Sequence, residues 1–402
     1  MPKFKTWILL GSLAVLPACA ATSYLLKPTL ATAPSAHLCE SDMAVLSIEH
    51  ETANVAECKI SKDGAFQLTI LPENVPINNS PWYGFRVDPR SSGEITISLR
   101  YEDGDHRYIP KVSFDEENWR PISEGQILKN EKSDFSFTLA IDDQPFLVSA
   151  QEIITVADHE AWMDMAVESF GLESRIIGQS VDGHPIRAVQ TPLDPEKAFL
   201  ILAGRQHPPE LTGALAMEPF METVFGDTDL AKQFRETFNI IAVPLLNPDG
   251  VAAGYWRHNK GGLDLNRDWG PFSQPETQSM RDLIEELGGD GLDVRLFLDF
   301  HSTHQNLLYT QTDEEPTEPP MFAGRWVETV TERTASLNYP FVRRPSPTSN
   351  RGTSKNYMYK RYGIPAITYE VGDNADREAL EMAAVIFAKE MMSLLMASEV
   401  EK

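Results

Sequence analysis

The sequence predicts an α/β domain with a mixed, largely parallel sheet flanked by helices, preceded by a small antiparallel β-sandwich domain. The chain has 402 residues, enough for about two domains of roughly 150 residues each. Residues 39–150 contain short alternating segments separated by turn signals such as Asp63-Gly64 and Asp103-Gly104, a pattern typical of antiparallel strands. In residues 151–402 apolar runs alternate with helical stretches, which indicates parallel strands joined by helices.

The individual elements follow from these local patterns. In the first domain, strands are predicted at 65–71, 82–87, 95–101 and 135–141. In the second domain, a hairpin is predicted at 174–190, strands at 198–203, 238–246, 294–300 and 364–371, and helices at 155–170, 210–225, 274–287 and 377–397. Residues 310–352 contain several prolines, so we expect this stretch to be largely irregular and to form a wall of a pocket.

The composition excludes several classes of partner. With 42% hydrophobic and 23% charged residues the chain is typical of a globular protein. Its net charge of −24 at pH 7 opposes association with phosphate backbones or anionic lipid. We therefore expect no nucleic-acid partner and no direct membrane-surface binding.

The N-terminus has the pattern of an export signal. Lys3 and Lys5 precede an apolar run over residues 7–16, which is too short for a hydrocarbon core of about 30 Å. Residues 1–20 are predicted to be a signal peptide, and residues 21–38, rich in Ala, Thr, Ser and Pro, a tether. We therefore expect an exported protein of the periplasm or cell envelope.

The three cysteines suit an exported protein. Leu16-Pro17-Ala18-Cys19 resembles a bacterial lipobox, which would place a lipid anchor on Cys19, but the same residues also fit an ordinary cleavage site after Ala20. Cys39 and Cys58 then remain as a pair, and an oxidising compartment favours a disulfide between them over two unpaired buried thiols.

Polar residues follow three strands of the predicted α/β domain. His207 and Glu210 come after the strand at 198–203, His301 ends the strand at 294–300, and Glu370 ends the strand at 364–369. Ligands of open α/β sheets bind beyond the carboxyl ends of the strands, where these side chains should converge.

Two imidazoles and a carboxylate are a common ligand set for catalytic zinc. We therefore predict one Zn²⁺ per chain, bound by His207, Glu210 and His301, with Glu210 in the first turn of its helix. His304 is the alternative to His301, but alternation along the strand favours His301.

Several separated motifs resemble the zinc metallocarboxypeptidase family over about residues 155–395. They are His207-x-x-Glu210, Trp256-Arg257, Leu263-Asp264-Leu265-Asn266-Arg267-Asp268-Trp269, Asp299-Phe300-His301-Ser302 and Thr368-Tyr369-Glu370. The resemblance implies a peptide substrate and hydrolysis of its C-terminal residue.

The resemblance also implies a role for each matching residue. Glu370 would accept a proton from the attacking water and pass it to the leaving amine. Arg257 would stabilise charge on the carbonyl oxygen, and Asn266 and Arg267 would bind the terminal carboxylate. Asp264 would orient the first metal-binding histidine. A surface turn around Arg267 and a plain structural role for Asp264 are the alternatives.

Three features resemble the cytosolic-carboxypeptidase branch, whose animal members remove glutamate from protein tails. They are the preceding β domain, Asn247-Pro248-Asp249-Gly250, and Lys355 upstream of Tyr362-Gly363-Ile364. By this resemblance Lys355 would lie in the pocket for the terminal side chain and favour an acidic one, although a solvated lysine is the alternative. An export signal departs from this branch, so tubulin-like substrates are not expected.

The sequence leaves other points open. Digestive-type members have a tyrosine about twenty residues before the catalytic glutamate, but residues 345–350 contain none, and Tyr357 and Tyr359 receive no role. A zinc deacylase, or an amidase or peptidase acting on cell-wall peptides, would use the same metal site. A non-catalytic binding lipoprotein of the envelope that retains the fold is the third hypothesis, and the presence of all ligands together with Glu370 argues against it.

Overall fold

The computed structural model describes residues 37–400 of the chain. The predicted signal peptide, Cys19 and most of the predicted tether lie outside this range. The first strand already begins at His37, two residues before the predicted start of the β domain. Among residues 37–400, no helix combines the length and the apolar character needed to cross a bilayer.

The first part of the structure is a β-sandwich. Its strands are β1 His37–Glu40, β2 Ala44–Ser47, β3 Glu57–Ile60, β4 Phe66–Ile70, β5 Gly84–Pro89, β6 Gly93–Tyr101, β7 Lys111–Ser113, β8 Arg120–Pro121, β9 Ile127–Glu131, β10 Asp134–Ile141 and β11 Phe146–Ser149. One sheet has the order β1-β2-β5-β11-β7-β8 and the other the order β3-β4-β6-β10-β9. The two inner faces share one apolar core, as a sandwich requires.

The sandwich is antiparallel except at one pair. Strands β4 and β6 run parallel, with Phe66 opposite Ile97, so this one pair departs from the predicted antiparallel arrangement. The reason is that β5 belongs to the other sheet. The chain therefore crosses the sandwich and returns in its original direction.

A disulfide joins the two sheets of the sandwich. Cys39 on β1 and Cys58 on β3 are bonded, with their Cα atoms 5.7 Å apart. These are the two cysteines that the sequence pairs. Strands β1 and β3 are edge strands of different sheets, so the disulfide links the edge of one sheet to the edge of the other.

The second part of the structure is built on an eight-stranded sheet. Its strands are β12 Glu173–Gln179, β13 Pro185–Gln190, β14 Ala198–Gly204, β15 Phe238–Val243, β16 Val294–Thr303, β17 Asn306–Thr310, β18 Phe341–Pro345 and β19 Ala366–Gly372, in the order β12-β13-β15-β14-β16-β19-β17-β18. The central strands β15, β14, β16 and β19 are parallel to one another. The predicted mixed, largely parallel sheet is confirmed.

Helices cover both faces of this sheet. They are α1 Val156–Phe170, α2 Leu211–Phe225, α3 Asp229–Thr237, α4 Pro248–Ala252, α5 Pro275–Leu287, α6 Phe322–Thr334, α7 Ser354–Tyr362 and α8 Arg377–Val400. Helices α1, α2, α3, α6 and α8 supply the apolar core on one face, and α5 and α7 supply side chains to the core on the other. Burial on both faces explains why the central strands are continuous apolar runs.

Residues 310–352 are more regular than predicted. They include α6 and β18, which the proline content led us to miss. Pro316, Pro319 and Pro320 all precede the helix, and Pro340 and Pro345 lie at the two ends of β18. Proline is tolerated at the ends of such elements, so these prolines border the elements instead of preventing them.

Arg107 connects the two parts of the structure. Its guanidinium donates two hydrogen bonds to Asp373, Nε to Oδ2 at 2.9 Å and Nη2 to Oδ1 at 3.1 Å. The side chains are only 8% and 6% exposed. A bidentate pair of this kind fixes orientation as well as distance.

Loss of the Arg107 pair should destabilise the protein strongly. Arg107→Ala leaves Asp373 buried without its partner, and we expect the free energy of unfolding to fall by about 3–5 kcal/mol. Arg90→Ala is the control, because Arg90 and Glu40 are 46% and 47% exposed and such surface pairs contribute at most about 1 kcal/mol. Urea unfolding measures the stability of both variants, and equal losses would show that the Arg107–Asp373 pair contributes no more than a surface pair.

Candidate active site

His207 and Glu210 lie in the connection between β14 and α2. Pro208 and Pro209 form a turn between them, and the helix begins at Leu211, so Glu210 is the residue that precedes the helix. The prediction that Glu210 lies in the first turn is therefore wrong by one residue. The two prolines are used to shape the turn and do not start the helix.

The first turn of α2 is packed against the end of β16. A Cβ atom on Gly213 would lie 2.7 Å from the backbone oxygen of His301, so only glycine permits this approach. The backbone N–H of Gly213 donates to Ser302 Oγ at 2.8 Å. The contact brings the residues at the start of α2 next to His301.

His207, Glu210 and His301 form a buried cluster. The distances are 2.9 Å from His207 Nδ1 to Glu210 Oε1, 2.6 Å from His301 Nδ1 to Glu210 Oε2, and 3.2 Å between the two Nδ1 atoms. Ligands about 2.0–2.1 Å from a tetrahedral zinc ion would lie about 3.3 Å from each other. Among the described residues this group could hold a metal ion, and its donors fit zinc.

Each histidine of the cluster is held by a second carboxylate. His207 Nε2 is 2.9 Å from Asp264 Oδ1, and His301 Nε2 is 2.8 Å from Asp299 Oδ2. Because a carboxylate only accepts hydrogen bonds, each Nε2 carries the hydrogen, and each Nδ1 is left to bind the metal ion that the cluster would hold. The geometry of Asp264 agrees with its predicted role.

Asp299 is part of the motif around His301, but sequence reasoning assigned it no role. It is fully buried, and its Oδ2 also accepts hydrogen bonds from Gln206 Nε2 and Ser354 Oγ. A signal was available, because residues two apart on a strand face the same side. Asp299 precedes His301 by two positions on β16.

Glu370 lies beside the cluster. It is the neighbour of His301 in the register of β16 and β19. Burial, together with the carboxylate of Glu210, raises the pKa of Glu370 to about 7. Among the described residues its Oε2 has no hydrogen-bond partner. This buried acceptor is suited to receive a proton from a molecule in the pocket.

Arg257 lies next to Glu210 of the cluster. Its Nε donates to Asp264 Oδ2 at 2.7 Å, and its Nη1 lies 3.5 Å from Glu210 Oε1. Burial disfavours the charged guanidinium, but Asp264 and Glu210 outweigh this effect and raise the pKa of Arg257. A permanent positive charge therefore lies next to the predicted ligands.

The predicted substrate-binding residues line the same cavity as the cluster. Asn266 Oδ1 accepts the backbone N–H of Ser354 at 2.9 Å. Arg267 is 40% exposed, so its guanidinium is accessible. Lys355 is buried, and its Nζ donates to the backbone oxygens of Ser346 at 3.0 Å and Thr310 at 3.4 Å. The structure brings all three into one cavity of about 610 Å³.

Other residues of the cavity carried no sequence signal that we recognised. They include Tyr309 on β17, Asn356 on α7, Arg351 in the loop before α7, and Asn78, Asn79 and Arg107 of the β domain. The loop before α7, including Ser346 and Pro347, forms one wall, as the proline-rich stretch was expected to do.

Tyr357, Tyr359 and His304, to which the sequence assigned no role, lie outside the metal-binding cluster. Tyr357 packs on Trp269 and Phe272, and Tyr359 packs against the apolar core on the same face of the sheet. His304 is 75% exposed and lies 3.8 Å from Asp373. His301 and not His304 therefore belongs to the cluster.

Comparison with known proteins agrees with this geometry. Residues 159–392 match the family described as zinc carboxypeptidase, which is more than half of the chain. The chain belongs to the zinc carboxypeptidase family. Zinc is the metal of this family, and the cluster of His207, Glu210 and His301 is the place for it in this chain.

Two curated relatives are cytosolic carboxypeptidases of Mus musculus. Cytosolic carboxypeptidase 3 is 35% identical over 131 residues, which is 31% of this chain and 13% of that protein. Cytosolic carboxypeptidase 6 is 30% identical over 117 residues, which is 28% of this chain and 22% of that protein. The matches thus cover less than a quarter of each relative.

Solved structures resemble the fold over both parts of the chain. A metallo-carboxypeptidase from Burkholderia cenocepacia has a TM-score of 0.71 at 18% identity and covers 90% of this chain and 100% of that one. A metallo-carboxypeptidase from Pseudomonas aeruginosa, in complex with (2-guanidinoethylmercapto)succinic acid, has a TM-score of 0.69 at 18% identity, covering 88% and 99%. At this identity the likeness concerns the fold.

Asp299→Asn should weaken zinc binding without unfolding the protein. The amide cannot hold the Nε2–H of His301 as a carboxylate does, and loss of such a partner typically reduces metal affinity about 10–100-fold. Asp227→Asn is the control, because that side chain is 97% exposed. Competition with a chromogenic chelator measures the affinity, and equal values for the two variants would show that Asp299 has no part in metal binding.

Proposed function

We propose that this protein is an exported zinc metallocarboxypeptidase that removes single residues from the C-termini of peptides, preferably acidic ones. Family membership supports the reaction class. The observation that carries the proposal is the convergence of the metal-binding cluster, Glu370, Arg257 and Arg267 on one cavity. Export rests on the N-terminal sequence alone, and Cys19 would carry a lipid anchor if its lipobox is used.

Arg267 and Asn266 would recognise the end of the peptide. The exposed guanidinium of Arg267 lies next to Asn266, whose backbone oxygen accepts from Nη1 at 2.6 Å. A guanidinium fork binds a carboxylate through two parallel hydrogen bonds. A free C-terminus held there would place the last peptide bond toward the cluster, which accounts for release of one residue at a time.

Glu370 and Arg257 would carry out the proton transfer and the charge stabilisation. A zinc ion at the cluster would lower the pKa of a water molecule and polarise the scissile carbonyl. Glu370 accepts the proton of the attacking water and returns it to the nitrogen of the breaking C–N bond. Arg257 faces the carbonyl oxygen and stabilises the negative charge that develops on it.

Lys355 would favour an acidic terminal side chain. The cavity contains four arginines in addition to this lysine, which are Arg107, Arg257, Arg267 and Arg351. Glu210 and Glu370 also line the cavity, but the five basic side chains outnumber these two carboxylates, whereas the whole chain has a net charge of −24. An acidic side chain beside Lys355 Nζ would be attracted by charge complementarity.

The central experiment follows peptide products by mass spectrometry. Zinc-loaded mature protein should release single residues from peptides ending in Glu, Asp, Lys or Leu, and Glu370→Gln should lower kcat about 10²–10⁴-fold while zinc is retained. Glu378→Gln, an exposed glutamate of α8, is the matched control. Internal cleavage, release of acyl groups or cleavage only of D-residue cell-wall peptides would favour a deacylase or amidase, and no cleavage at all would favour a binding protein.

Lys355→Ala should reduce the selectivity for acidic chain ends. We expect the ratio of kcat/KM for Glu-ended over Leu-ended peptides to fall at least about tenfold, because the pairing cation is removed. Lys360→Ala, an exposed lysine on the same helix, should leave the ratio unchanged. A uniform loss of activity on both peptides would remove Lys355 from the side-chain pocket.

The same selectivity should depend on pH. Burial lowers the pKa of Lys355 to about 8, although Glu315 opposes the shift. Lys355 is charged below this value, so the preference for Glu over Leu should be full near pH 6.5 and decline as the pH rises through about 8. The ratio of kcat/KM measured from pH 6 to 9.5 tests this, and a flat ratio would contradict it.

A further inference from the structure

The segment that carries Arg257 is embedded in the β domain. Trp256 is fully buried and belongs to the apolar core of the sandwich. A Cβ atom on Gly104 would lie 2.5 Å from the Trp256 ring, so the indole is tightly enclosed. Asn54 Nδ2 donates to the backbone oxygen of Gly254 at 2.6 Å. The position of Arg257 is therefore set by residues of the other domain.

Glu73 makes the closest set of contacts with this segment. Its carboxylate accepts three successive backbone N–H groups, from Trp256 at 2.8 Å, Arg257 at 2.9 Å and His258 at 2.5 Å. The Glu73 side chain is only 3% exposed. It is separated from Arg257 by 184 positions in the sequence, which is why no local motif reveals the contact.

Three consecutive N–H groups can point at one carboxylate only if the backbone curves around it. Glu73 therefore fixes the backbone conformation at Arg257. At the other end of the same residue, Asp264 holds the guanidinium through Nε at 2.7 Å. Arg257 is thus held at both ends, with Nη1 at 3.5 Å from Glu210 Oε1.

Asn74 extends the same attachment. Its Oδ1 is 2.7 Å from His258 Nδ1, and its Nδ2 donates to the backbone oxygen of Gly262 at 3.0 Å. These contacts hold the chain between Arg257 and Asp264. They support the backbone path on the C-terminal side of Arg257, whereas Glu73 accepts the backbone N–H of Arg257 itself.

We propose that Glu73 is a positioning residue for the reaction: it aims the Arg257 guanidinium at the carbonyl oxygen by holding the backbone of residues 256–258. The inference rests on the proposed function, in which Arg257 stabilises the developing charge. Because that charge develops only in the transition state, loss of Glu73 should lower kcat and leave KM largely unchanged.

A double-mutant cycle tests the proposal on the full-length mature protein. Glu73→Gln keeps the shape of the side chain but places an NH₂ group against a backbone donor. In the wild-type background we expect kcat to fall about 10–10²-fold, because small misplacements of a catalytic group have effects of this size. In the Arg257→Ala background, which by itself should cost about 10²–10³-fold, Glu73→Gln should cause no further loss.

The readouts separate positioning from a purely structural role. Zinc content should be unchanged, and in the metal-free protein the amides of residues 256–258 should exchange their hydrogens faster in Glu73→Gln. Glu57→Gln is the control, since Glu57 is 54% exposed in the same domain. If Glu73→Gln does not fold, Glu73→Asp keeps the charge, withdraws the oxygens by one methylene and enters the same cycle.

The outcomes distinguish the positioning role of Glu73 from the catalytic role proposed for Arg257. A wild-type kcat in the Glu73 variant, an equal fold-loss in both backgrounds, or loss of zinc would overturn the positioning role while leaving the proposed function intact. An Arg257→Ala enzyme with undiminished kcat would instead refute the role of Arg257 in the proposed function.

Discussion

The structure depends on holding two imidazoles and a carboxylate within about one hydrogen-bond length of each other in a buried place. Burying such a cluster without a cation is unfavourable, because burial opposes the charge of the carboxylate. Both imidazole rings must also be held with their metal-binding nitrogens toward one point. The fold meets this requirement by backing His207 with Asp264 and His301 with Asp299. It also packs α2 through Gly213 directly on the backbone of His301. The family match over residues 159–392 assigns the chain to the zinc carboxypeptidases, and this arrangement agrees with that assignment.

The β domain is part of the active site as well as a neighbour of it. It encloses Trp256, holds the backbone around Arg257 through Glu73, and supplies Asn78, Asn79 and Arg107 to the wall of the cavity. The similarity to solved bacterial metallo-carboxypeptidases also extends over both domains. Residues of both domains therefore line one cavity.

The sequence predicted the site more completely than the details of the fold. His207, Glu210, His301 and Glu370 could be found because strand ends in a parallel sheet converge, and each follows an apolar run that is easy to recognise. Helix α6 and strand β18 were missed because the proline content of residues 310–352 predicted irregular structure. The prolines in fact border these two elements and do not interrupt them. Glu73 could not be found, since its partners lie about 184 positions away in the sequence and a single glutamate in a loop carries no local pattern.

X-ray absorption spectroscopy at the zinc edge, on the purified mature protein, shows directly whether His207, Glu210 and His301 bind the ion. We expect one zinc per chain, with two imidazole nitrogens and carboxylate oxygen at about 2.0–2.2 Å as protein ligands, and loss of the ion in His301→Ala but not in His304→Ala. A protein that binds no zinc at stoichiometric concentration, or that keeps the same zinc environment when His301 is replaced, would contradict it.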